Sequence, residues 1–366
     1  MRANCRRTCR DPRPPSNSSL QQRPVTCSEH QPVRKEAVVS NVGLSRFRMT
    51  TLPPWSGVLM LLVLLILALA IFEPAFISMG NVNNIIRAAA IPVVLGIGMT
   101  FAILTGGIDL SVGSVLAFSG VFLSILAGFM PISLAVLVTL VAVTAIVGGI
   151  NGSLIGLVGL NSFVITLATL GVFRGIAYLV TNGKTQTVDP GPIVTALGDG
   201  NVGPVPGPLL VMIVIGLIAS YVLRSTYFGR DVYAVGGNEV AAQLAGINTR
   251  SVKMTVYFVS AACATLGGIM SIGRMESAAP TAGAGLELAV VAGVLLGGTR
   301  LSGGVGTIAG TVIGIFFLTC VSNALTIIGV SSYWQPIATG VLLIAALLFD
   351  RFRLEPSRRA NKKKER

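Results

Sequence analysis

The chain has 366 residues, 52% of them hydrophobic and only 11% charged, with a mean hydropathy of +0.79. So little charge excludes a water-soluble fold of this size and calls for a bilayer as solvent. Ten of the 27 Lys and Arg lie between Arg2 and Arg48 and eight between Arg351 and Arg366, while Met49 to Asp350 holds nine basic and nine acidic residues, so the formal +13 belongs to the tails.

Residues 1–48 are rich in Arg, Pro, Ser and Gln and lack apolar periodicity, which reads as a disordered basic tail. Cys5, Cys9, Cys27 and His30 lack the paired spacing of a zinc module, so no metal or cofactor is expected. Cys263 and Cys320 sit in apolar runs as small hydrophobes. Met49 directly precedes the first apolar run and is an alternative start of translation. The run from Gly57 to Phe72 imitates a cleavable signal, but the many later spans favour a retained first helix.

With about 20 apolar residues per crossing, spans are expected near 56–76, 84–105, 110–128, 131–150, 161–181, 207–223, 254–273, 285–299, 304–328 and 333–349. The expected fold is an all-α membrane bundle of about ten helices, with eight to ten as the range. The stretch 285–299 is short and Gly-rich, and a re-entrant segment is the alternative there. The organisation is thus a tail (1–48), a transmembrane domain (49–350) and a basic C-terminal tail (351–366).

An even number of spans puts both termini in the cytoplasm, together with the loop bearing Arg224, Arg230, Arg250 and Lys253, as the positive-inside rule requires. The Pro- and Gly-rich loop from Asn182 to Gly207 then faces outward. Membrane lipid, rather than nucleic acid, is the expected partner of the basic tails. Gly306, Gly310 and Gly314 recur every fourth residue, a ridge suited to close helix packing.

Gly106, Gly107, Ile108, Asp109, Leu110, Ser111, Val112, Gly113 is echoed by Gly297, Gly298, Thr299, Arg300, Leu301, Ser302, Gly303, Gly304; both read GGxxLSxG. Such a weak internal repeat suggests two related halves. In each copy the glycines would stop one helix, with Ser111 or Ser302 as N-cap of the next. Asp109 and Arg300 occupy equivalent positions and either pair across the repeat or each serve their own helix end.

The segment from Gly229 to Asn248 reads GRDVYAVGGNEVAAQLAGIN, in which Glu239 to Leu244 begins a short helix that Gly246 can end. With GGIDLSVGS (106–114), PTAGAGLEL (280–288), VLLGGTRLSGGVGT (294–307) and VSSYWQPI (330–337), this segment resembles the ribose-type sugar permeases, from about residue 50 to 350. The branched-chain amino acid permeases are more distant relatives of that family.

The resemblance implies the membrane subunit of an ATP-binding-cassette importer in a bacterial cytoplasmic membrane. Its implied partners are an ATPase subunit, an extracytoplasmic sugar-binding protein and a second permease subunit. It also implies that Arg230, Gly237, Asn238, Glu239, Ala241, Ala242 and Gly246 form the region that couples to the ATPase.

The chain itself shows no catalytic constellation. Gly183, Lys184, Thr185 imitates the end of a phosphate-binding loop, but Tyr178 stands where that loop needs its first Gly. Asn161, Thr166 and Asn323 are candidates for a translocation path, with Ser162, Thr326, Asp109 and Asn151 behind them, and interhelical hydrogen bonding is the plainer use of such groups. Arg87 and Arg174 lie in or near helices and are functional suspects. The rival classes are an ion-coupled secondary transporter, for which only Asp109 could serve, and an importer subunit for a non-sugar substrate such as an amino acid.

Overall fold

The computed structural model describes residues 55–331, 333–342 and 344. Both expected tails and Met49 lie outside the described residues. So does part of the tenth expected span, of which residues 334–342 are helical.

The chain runs through α1 (Ser56–Phe72), α2 (Met79–Leu104), α3 (Val112–Ala127), α4 (Ile132–Gly152), α5 (Ser162–Thr181) and α6 (Gly191–Gly198). It continues through α7 (Gly207–Ser225), α8 (Tyr227–Gly237), α9 (Glu239–Leu244), α10 (Thr249–Met275), α11 (Leu286–Leu296) and α12 (Ile308–Ile327). Two-residue strands β1 (Gln186–Thr187) and β4 (Ser277–Ala278) pair antiparallel, as do β2 (Asn201–Val202) and β3 (Val205–Pro206). The all-α membrane bundle expected from sequence is the fold observed.

Among the described residues six helices are long and apolar enough to span: α2, α4 with its π-helical extension Ser153–Leu157, α5, α7, α10 and α12. These six, with the shorter apolar helices α1, α3 and α11, are consistent with the expected bundle, whose tenth expected span lies partly outside the described residues. At 1.5 Å per residue, the 16 residues of α3 reach about 24 Å and the 11 of α11 about 17 Å, short of a hydrocarbon layer of about 30 Å.

Two ends of the bundle can be traced from contacts. Arg274, in the last turn of α10, donates to the Arg87 carbonyl near the start of α2 at 3.3 Å, and β4, just after α10, pairs with β1, just after α5. At the opposite end the Gly304 amide donates to the Leu104 carbonyl, the last residue of α2, at 2.9 Å. The chain from β4 to Gly304 thus passes from one end to the other, and the stretch expected at 285–299 is not re-entrant. It crosses with α11 for only part of the way. Non-helical backbone inside a bilayer needs protein partners, and Arg174 of α5 supplies two in the turns before α11 by donating to the carbonyls of Pro280 (2.8 Å) and Ala282 (2.5 Å).

The core is built on α2 and α10, and glycine permits their approach. A Cβ on Gly98 would lie 3.0 Å from Ser260 Cα and 2.9 Å from Cys263 Cβ. Gly310 and Gly314 face the backbone of Gly297 and Gly293, so part of the expected glycine ridge does seat α12 on α11. Gly306 precedes α12 and abuts Thr299 instead. Outward faces of α4, α5 and α7 carry exposed apolar side chains such as Leu137, Leu167 and Leu217, as lipid contact demands.

Candidate functional site

The polar groups gather where α3 begins. Ser111, just before α3, gives its backbone amide (3.0 Å) and its hydroxyl (2.5 Å) to Asp109 Oδ1, while Ser260 Oγ gives its proton to Asp109 Oδ2 at 2.7 Å. Asn151 of α4 donates through Nδ2 to Ser111 Oγ at 3.0 Å. Ser260 is the twelfth of the 27 residues of α10, which places this carboxylate near the middle of the bundle. All four residues are buried.

The cluster continues toward α5. Ser162 Oγ accepts from the Ile108 amide at 3.4 Å, and Thr166 Oγ1 donates to the Ile108 carbonyl at 3.2 Å. A Cβ on Gly107 would run into the Tyr257 hydroxyl, so glycine is what lets the turn settle against α10. The Tyr257 hydroxyl and Asn151 Oδ1 are buried without a hydrogen-bond partner among the described residues. The result is a polar seam joining the α2–α3 turn, α4, α5 and α10. The Asp109 carboxylate, the Asn151 amide and the Ser111 and Ser260 hydroxyls are buried and bond one another, and an ionisable group at this depth is costly unless it has a task.

A second polar assembly lies at the α2 C-terminal end. Thr226 caps α8 by accepting from the Gly229 amide at 3.1 Å, and Asn238 caps α9 by accepting from the Ala241 amide at 3.0 Å. Gly246, with φ of +87°, turns the chain away after α9. Glu239 forms a 2.6 Å ion pair with Lys253 of α10, and Gln243 donates to Thr249 at 3.0 Å. Ala242 is buried, whereas Val240, Ala241 and Leu244 are exposed. Arg230 stacks over the Tyr227 ring at 4.3 Å. Burial holds the Tyr233 phenol above its ordinary range, against the opposing pull of Arg224, and its hydroxyl donates to the Gly306 carbonyl at 2.8 Å.

A family model described as the permease component of branched-chain amino acid transport systems matches residues 81–347, which contain both assemblies. The chain belongs to this permease family. It is 38% identical over 295 residues to the ribose import permease protein RbsC of Haemophilus influenzae, covering 80% of this chain and 91% of that relative. It is 39% identical over 306 residues to the Bacillus subtilis protein of the same name, covering 83% and 93%. The D-allose transport system permease protein AlsC of Escherichia coli is 36% identical over 278 residues, covering 75% and 85%. No solved structure matches the chain.

In this permease the residues singled out in the sequence divide sharply. Of the path candidates, Thr166 joins the seam. Asn161 caps α5, accepting from the amides of Phe163 (2.9 Å) and Val164 (3.4 Å). Asn323 exchanges two amide hydrogen bonds, each 3.0 Å, with Asn81, fastening α12 to α2. Asp109 and Arg300 do not pair: the Asp109 oxygens are occupied by Ser111 and Ser260, and the described ion pairs do not include Arg300. The Arg300 amide instead bonds the Val305 carbonyl at 2.8 Å, closing its own turn.

The repeat's expected caps are corrected too. Ser111 makes no capping bond to α3, and α12 begins after Thr307, which accepts from the Gly310 amide at 3.1 Å, rather than after Ser302. Arg87 reaches Asp199 at 3.5 Å and Asn201 at 3.2 Å in the polar structure beyond α6. Sequence reasoning missed Ser260 and Tyr257, which are unremarkable in a helix pattern and gain meaning only opposite the α2–α3 turn. It also missed α8.

Proposed function

We propose that this chain is the membrane-spanning subunit of a binding-protein-dependent, ATP-driven importer of a monosaccharide such as ribose or xylose. One observation carries the reading: the identity to ribose import permeases extends over more than nine-tenths of their length, 91% and 93% in the two cases above. The seam supports a polyol cargo. It offers hydroxyls, an amide and one carboxylate, and its hydrogen-bonded members include no basic side chain that would receive the carboxylate of an amino acid.

In this reading the end bearing α8 and α9 is cytoplasmic, since Arg224, Arg230, Arg250 and Lys253 cluster there. The exposed face of α9, with Gly237, Asn238 and Ala241 and with Val240 and Leu244 as apolar contacts, docks on the ATPase. Arg230 lies beside it, and Glu239 and Ala242 hold the helix to its own protein. The opposite end, with α6 and the β2–β3 hairpin, receives the binding protein, and two permease subunits enclose the path. Hydrolysis of ATP belongs to the partner.

The test is uptake of radiolabelled pentoses and hexoses into vesicles holding this chain with its ATPase and binding protein. Uptake of one sugar, abolished when ATP or the binding protein is omitted, is expected. Uptake driven by an ion gradient without ATP would establish a secondary transporter, and uptake of an amino acid instead would move the cargo to that class.

A further inference from the structure

The two GGxxLSxG turns lie far apart in sequence, yet they meet each other and the end of α8 at one place. A Cβ on Gly236 of α8 would collide with the Leu104 carbonyl oxygen, and would lie 2.5 Å from the Gly304 amide nitrogen. One on Gly303 would come within 2.9 Å of both the Gly106 amide and the Gly236 carbonyl oxygen. One on Gly304 would lie 2.9 Å from Gly237 Cα. Real Cβ contacts do not come this close to backbone, so three chain segments touch here main chain to main chain. Two hydrogen bonds lock the contact: Gly304 N–H to the Leu104 carbonyl at 2.9 Å, and Tyr233 O–H to the Gly306 carbonyl at 2.8 Å. The stacked rings of Phe101 and Phe228, 6.3 Å apart, add a further link between α2 and α8.

From this we infer that Gly236, Gly303 and Gly304, with Tyr233, are positioning residues that carry movement of α8 to the turn bearing Asp109. The inference rests on the assignment of α8 and α9 as the ATPase-coupling segment. Movement of α8 has no slack here, because no side chain intervenes that could repack. Leu104 and Gly106 are held at the junction, and Gly107 and Asp109, a few residues on, already touch Tyr257 and Ser260 of the seam. A push on α8 therefore reaches the seam through backbone. α9 is tied separately to α10 by the Glu239–Lys253 pair, so docking and transmission reside in different helices. The junction gives the repeated motif a use: the second copy supplies the glycines Gly303 and Gly304 that approach α8 and the first turn, and the first copy supplies the backbone they meet.

The experiment uses the complete complex in proteoliposomes, with D-ribose as probe, and reads sugar transported per ATP hydrolysed together with retention of the ATPase subunit. Gly236→Ala forces the junction apart. Tyr233→Phe removes one hydrogen bond and adds no bulk, so it decides the matter if the first variant fails to insert. Gly171→Ala, on an open face of α5 where a Cβ meets nothing, is the control.

The expected result is that Tyr233→Phe keeps the ATPase bound while sugar moved per ATP falls about fivefold, as for loss of one net hydrogen bond. Gly236→Ala falls further, and Gly171→Ala matches the unsubstituted chain. An unchanged ratio in Tyr233→Phe, or a loss there explained wholly by release of the ATPase subunit, would overturn the inference. If the unsubstituted complex moves neither ribose nor another sugar with ATP, the proposed function itself has failed, which is a separate result.

Discussion

Reversing the charge at Glu239 separates two roles for that carboxylate. Its 2.6 Å contact with Lys253 joins α9 to the first turns of α10, and the side chains are 43% and 23% exposed. Glu239→Lys sets two ammonium groups against each other. For unit charges about 4 Å apart the energy is about 1 kcal/mol in water and about 4 at the screening of a protein surface. The exposure favours the lower end, and exposed pairs themselves contribute about 0.2–1 kcal/mol. Together these amount to about 1–2 kcal/mol favouring release of α9, or roughly a 5- to 30-fold shift in its docked population.

Lys253→Glu should act alike, and the double reversal should recover most of the loss by restoring the pair. The assay is sugar uptake per ATP in proteoliposomes for all four proteins, at low and at high salt. High salt should narrow the differences, because screening weakens a partly exposed pair. A double reversal no better than Glu239→Lys alone would refute the reasoning, since the carboxylate would then be read by the partner rather than by Lys253.

Three other outcomes are expected. In a double-mutant cycle, Asn81→Ala and Asn323→Ala should couple by about 1–2 kcal/mol in thermal or denaturant unfolding of the purified protein, the sum of two membrane hydrogen bonds, with uptake per inserted molecule unchanged; a shift of sugar KM without coupling would return Asn323 to the path. Ser260→Ala should destabilise by about 1–3 kcal/mol, because it leaves the buried Asp109 Oδ2 without its donor, and uptake should fall, whereas wild-type stability and uptake together would show that the seam is idle. Deletion of residues 1–48 should leave insertion and uptake as they are, which quantitative membrane fractionation with uptake will check.

Composition determined that this chain lives in a bilayer, because 52% apolar residues and 11% charge suit lipid as solvent, and apolar runs of about 20 residues chose helices over a closed barrel as the way to satisfy the backbone. Helix positions followed from apolar run length, a local property, and so did α9, whose Asn238 cap and Gly246 stop are written into neighbouring residues. The motifs also carried the family. Run length could not distinguish a full crossing from a half helix in α11, since the non-helical turns before it depend on a distant donor, here Arg174. Nor could it say what Asp109 faces. The symmetry of the repeat pointed to Arg300, but Ser260, 151 residues away, holds the second carboxylate oxygen. Pairing between remote helices is decided by which backbones can approach, and the glycines that allow approach at Gly98, Gly236 and Gly304 name no partner in the sequence. The fold supplied those partners because packing and hydrogen bonding across the bundle are satisfied only when all the helices are in place.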